Sequence, residues 1–82
     1  MSELASVYRV VRSYLDEEIA LAELKAWLLS RLGIIVDEAE TSAGRLAIQA
    51  QHLAMLVGDG EISEMDLREA LKEEMRPRGR TR

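Results

Sequence analysis

Apolar residues recur at helical steps along almost the whole chain, and the interruptions are short polar or glycine-bearing turns. Leu4, Val7, Val11, Tyr14 and Leu15 fall three or four residues apart, and so do Leu21, Leu24, Leu28 and Leu32. Such stripes commit the chain to amphipathic helices that must cover one another. The pattern predicts an all-α fold, a small four-helix bundle made of two helix hairpins, with helices at about 3–15, 21–32, 38–57 and 64–75. Cap chemistry marks the ends. Ser2 and Asp37 stand where N-caps belong, Gly33 stands where a C′ residue belongs, and Gly58-Asp59-Gly60 closes the longest helix. Ser63 precedes Asp66 by three residues, close to a capping box, and Pro77 stops the last helix. Ile34-Ile35-Val36 is too short for an independent strand and is expected to pair locally or to plug a gap between helices.

The chain has 82 residues, enough for one small core. Leu, Ile and Val account for 22 of them, which places the chain among folded rather than disordered compositions. The expected organisation is a single helical domain over 1–75 followed by a basic tail over 76–82, which has no apolar residue to bury and should be disordered. The absence of Cys excludes disulfides, iron–sulfur clusters and thiolate zinc sites. No run of 18 apolar residues is present, and Met1-Ser2-Glu3-Leu4 lacks the basic start of a signal peptide, so a soluble cytoplasmic protein with no membrane partner is expected.

Charge is segregated. All 15 acidic residues lie in the first 75 residues against seven basic ones, a net charge of −8. The last seven residues hold Arg76, Arg78, Arg80 and Arg82 and no acid, a net charge of +4. An acidic body repels nucleic acid, whereas a short basic arm attracts phosphates weakly and without reading sequence.

A weak internal repeat runs through the chain. Glu18-Ile19-Ala20-Leu21-Ala22-Glu23-Leu24-Lys25 aligns without gaps on Glu61-Ile62-Ser63-Glu64-Met65-Asp66-Leu67-Arg68, at an offset of 43 residues. Each half reads helix, short acidic turn with one buried isoleucine, helix.

The third predicted helix differs from the others. Ala43, Ala47, Ala50 and Ala54 form a small-residue stripe that lets a neighbouring helix approach closely. Ile48, His52 and Met55 form a second, mixed face roughly opposite. A helix apolar on nearly all sides is central in a bundle or buried against a partner, and 82 residues leave little to cover a central one. These two faces, together with Trp27 as an aromatic anchor, are therefore the expected protein interface, in a homodimer or with another protein.

Residues for chemistry are few. Asp59-Gly60-Glu61-Ile62 followed by Asp66 resembles the second half of an EF-hand calcium loop, but that register puts Met55 and Val57 where oxygen ligands are needed. The expected role of the segment is an isoleucine-plugged turn. Gln49-x-x-His52 is a poor stand-in for the Glu-x-x-His pair of a di-iron bundle, and one histidine cannot build a multi-histidine metal site. No serine sits in a strained strand-to-helix elbow, and no glycine-rich loop follows a strand. The sequence therefore predicts no catalytic residue, no metal, no cofactor and no small-molecule substrate.

From Leu21 onward the order is short helix, apolar loop, longer helix, loop, short helix. Glu61-Ile62-Ser63-Glu64-Met65-Asp66-Leu67-Arg68-Glu69-Ala70-Leu71-Lys72 resembles the last loop and helix of histone-fold proteins, and Gln51-His52-Leu53-Ala54 resembles the end of their central helix. The resemblance is carried by about residues 51–72. It implies dimerisation through the central helix. The chain departs from the family in a central helix about two turns shorter, in acids where the family has basic residues, and in the additional first helix.

Taken together, these features predict a small acidic α-helical protein–protein interaction module, an accessory, inhibitor or antitoxin- or immunity-like subunit that binds through an apolar helix face. The alternative is a nucleic-acid-associated accessory protein that uses the arginine tail, with a histone-like dimerising core.

Overall fold

A computed structural model describes residues 6–76, which form five α-helices and no strand. They are α1 (Val7–Leu15), α2 (Leu21–Leu29), α3 (Leu32–Asp37), α4 (Ser42–Gly58) and α5 (Glu64–Met75). The fold is all-α, as the periodicity predicts. Helix α4 packs against each of the other four, and α1 also packs against α2 and α5. The core gathers Val7, Val11 and Tyr14 from α1, Leu24 and Leu28 from α2, and Leu67 and Leu71 from α5 around Leu46, Ala47, Ala50 and Leu53 of α4.

The middle of the chain departs from the four-helix expectation. The second helix ends at Leu29 rather than Leu32, and Gly33 lies inside α3 rather than capping α2. Ile34-Ile35-Val36 belongs to this short extra helix: Ile35 is buried in the core, while Val36 is 72 % exposed. Ile34 is half-buried against the same core, so the short helix turns two of the three apolar side chains inward. Helix α4 starts at Ser42, not near 38, and its N-cap is Thr41 rather than Asp37. The Thr41 hydroxyl accepts from the Gly44 N–H at 2.9 Å and donates to the Glu38 carbonyl at 2.8 Å, closing both ends of the turn over 38–41. The expected Ser2 cap and the predicted helix start at 3 lie outside the described residues, as does the tail beyond Arg76.

The two links of the repeat are built alike. After α1, the N–H groups of Asp16, Glu17 and Glu18 donate to the carbonyls of Arg12, Tyr14 and Ser13 at 2.8, 3.0 and 2.8 Å. Forty-three residues on, those of Asp59, Gly60 and Glu61 donate to Met55, Val57 and Leu56 at 2.9, 3.0 and 2.9 Å. Both are Schellman turns, and both place one residue in the left-handed region, Glu17 at φ 65° and Gly60 at φ 79°. Ile19 and Ile62 follow, each half-buried against the core. The next helix is then capped. Glu23 accepts from the Ala20 N–H at 3.0 Å, and Ser63 and Asp66 form a reciprocal capping box at 3.1 Å each way.

The equivalence of Glu17 and Gly60 sets a test. A non-glycine residue at positive φ costs about 1 kcal/mol. Glu17→Gly should raise stability by about 0.5–1 kcal/mol, read as a higher midpoint of thermal unfolding. The lost 3.5 Å ion pair between the exposed Glu17 and the half-buried Arg68, which keeps Glu64 as a partner, offsets only part of that. Gly60→Ala should lower the midpoint by a similar amount.

Candidate protein interface

Helix α4 points two chemically different faces in opposite directions. Leu46, Ala47, Ala50, Leu53 and Ala54 face inward and are buried. Arg45, Ile48, His52, Met55 and Asp59 are all exposed, and their spacing of three, four, three and four residues draws them into one straight outer stripe. Ile48 is 42 % and Met55 59 % exposed. Alongside them, α2 contributes Leu29, 57 % exposed. Leu29 and Met55 line one small cleft of about 60 Å3 together with Lys25, Leu28, Gln51 and Ala54, so the apolar surface of the stripe continues onto α2.

The structure divides the interface residues expected from sequence into three groups. Ala47 and Ala50 lie in the chain's own core and cannot touch a partner in this fold; Ala54 is buried but borders the cleft beside Met55, and Ala43 is half-buried against the core. The physical reason is economy of length. With α3 as an extra helix, the chain itself supplies enough helices to cover the small-residue face, and alanine is what lets them approach α4 closely. Ile48, His52 and Met55 are the exposed group. Trp27 lies apart from both: it is half-buried and shares a cleft with Arg9, Val10, Ser13, Ile19 and Glu23, on the flank of α2 that meets α1. The Arg31 guanidinium covers its ring at 4.3 Å from the centroid. Leu29, Arg45 and Asp59 are surface partners of the stripe that sequence reasoning overlooks. The three-four spacing of Arg45 and Asp59 with Ile48, His52 and Met55 is the signal that could have found two of them.

A polar cluster ties the two repeats together. The Tyr14 hydroxyl donates to Glu64 at 2.6 Å. Arg68 lies 4.9 Å from the centroid of the Tyr14 ring and pairs with Glu17 and Glu64 at 3.5 Å each. Burial pushes the Tyr14 hydroxyl up from its ordinary 10.0 to about 12, aided by the bond to the Glu64 carboxylate and by its charge, with Arg68 pulling the other way. Tyr14 is therefore a protonated, structural donor at neutral pH. Because its pKa is raised on folding, the stability it contributes is complete below pH 10.0 and is lost as pH rises through about 12. Tyr14→Phe should cost about 1–2 kcal/mol at neutral pH and flatten the fall of stability over that alkaline range, measured by denaturant unfolding at a series of pH values.

Among the described residues, no group of three or more His, Asp or Glu is placed to hold a metal ion, and no helix is long and apolar enough to cross a membrane. Arg76 is exposed and pairs with Glu73 at 2.9 Å; Arg78, Arg80 and Arg82 lie outside the described residues. No family model, no curated protein and no solved structure matches the chain.

Proposed function

We propose that the chain is a protein-interaction module that works through the outer stripe of α4 and the adjoining Leu29, in the manner of an accessory, inhibitor or antitoxin-like subunit of the cytoplasm. Single exposed apolar side chains are ordinary on a protein surface. The observation that carries the reading is their contiguity: Ile48 and Met55 share one helix face, and Met55 and Leu29 share one cleft. The acidic residues that dominate the rest of the body would act at the rim, where charge selects among partners and speeds encounter more than it adds affinity.

The test is capture from native cells with the tagged chain, with and without nuclease, using wild type, Met55→Glu and a chain lacking 76–82. The expected result is a stoichiometric protein that survives nuclease and loss of the tail but is lost with Met55→Glu. Retention that instead disappears with nuclease, and with removal of the segment carrying Arg76, Arg78, Arg80 and Arg82, would replace this reading with the nucleic-acid one.

A further inference from the structure

We infer that the partner of the α4 stripe is a second copy of this chain, with the two α4 helices antiparallel about a twofold axis at His52. The inference rests on the reading of the stripe as an interface and goes beyond it by naming the occupant. The stripe reads, from the start of α4 to its end, positive Arg45, apolar Ile48, His52, apolar Met55, negative Asp59. Turned end over end about His52, the order superposes on its complement. Arg45 of one copy meets Asp59 of the other, Ile48 meets Met55, and the two His52 side chains meet at the axis. An isologous interface requires this self-complementarity. A spacing of three and four residues is also the seam that lets two helices lie side by side. From Arg45 to Asp59 the seam runs about 21 Å.

Two further observations favour this occupant. First, the end charges run against the helix dipole: α4 has no acid in its first turn and no base in its last, but Arg45 near its positive end and Asp59 at its negative end. Against the dipole of their own helix these charges are unfavourable. In an antiparallel pair each lies beside the opposite end of the neighbouring helix, next to its counter-charge. Among the described residues, neither forms an ion pair within the chain. Second, the cleft between Leu29 and Met55 lies where Ile48 of the second copy would arrive, giving that knob a hole.

Sedimentation equilibrium on the full chain and its charge variants tests the inference. Wild type should approach twice its 9.2 kDa mass with rising concentration. Arg45→Asp sets acid against acid at both ends of the seam and Asp59→Arg sets base against base, so each should weaken self-association about ten-fold or more. Mixing these two variants should restore a dimer of one of each, and the double variant Arg45→Asp/Asp59→Arg should dimerise like wild type. All three variants change exposed positions only, and the swapped charges suit the helix dipole, so helicity should be retained. A chain that stays at 9.2 kDa up to about 1 mM overturns the self-pairing, and if it still captures a protein sensitive to Met55→Glu, the interaction-module reading stands alone. A dimer indifferent to the charge variants overturns the antiparallel register.

Discussion

Ala50→Glu should cost the chain its fold, seen as loss of the helical circular-dichroism signal, while Met55→Glu should leave that signal intact and change stability by no more than about 0.5 kcal/mol. Both positions lie on α4, five residues apart, yet Ala50 is fully buried and Met55 is 59 % exposed. A carboxylate at Ala50 would stand inside the apolar core cluster, which has no buried polar or charged side chain among the described residues. Burying an unpaired charge costs several kcal/mol, and the glutamate also needs room that a close-packed alanine site does not have. A chain of this length has about 4–12 kcal/mol of total stability to lose. If Ala50→Glu folded normally and merely altered assembly, α4 would have to be rotated about its axis so that Ala50 faced outward.

The second large effect belongs to Gly44. A Cβ there would lie 1.7 Å from the Glu38 carbonyl oxygen and 2.6 Å from its carbon, which is backbone and cannot swing aside. Gly44→Ala should therefore destabilise by about 2–3 kcal/mol, despite the gain of about 1 kcal/mol that alanine brings to a helix interior. The turn over 38–41 must move away from α4, and the two Thr41 hydrogen bonds that hold it should weaken with it. Gly33→Ala is the control. Nothing lies within 4 Å of its would-be Cβ, so this change should stabilise α3 by about 0.5–1 kcal/mol. Denaturant midpoints of the two variants should move in opposite directions.

Legibility in the sequence follows how local the determining interactions are. Helix α5 and its capping box are set by residues within one turn of each other, Ser63 and Asp66, and its predicted span of 64–75 agrees with the structure. The likeness of the two turns is also visible, because Ile19 and Ile62 occupy matching places in sequence; the matched hydrogen bonds and the left-handed Glu17 are not, since glutamate gives no sign of positive φ. The start of α4 is ambiguous because Asp37 and Thr41 are both good caps, and Gly44 makes the choice: its lack of a side chain admits the Glu38 carbonyl. The direction of α4 is ambiguous for a different reason. Alanines suit a tight core and a tight interface equally, so the sequence leaves open which of its two faces the chain covers for itself. Only the count of helices resolves that, and α3, hidden in three β-branched residues, is the helix that periodicity does not reveal.

The outer stripe of α4 is thus proposed to be covered by a partner, while its alanine face is covered by the chain itself. The chain has no cysteine, so single thiols can be placed at will. The most direct measurement is the labelling rate of Met55→Cys and Ala50→Cys by a thiol reagent, in native cells and again in dilute purified protein. The thiol at position 50 should be protected in both settings and react only after denaturation. The thiol at position 55 should be protected in cells and react rapidly once the protein is pure and dilute. Equally fast labelling at position 55 in both settings would mean that nothing covers the stripe, and the interface would have to be abandoned.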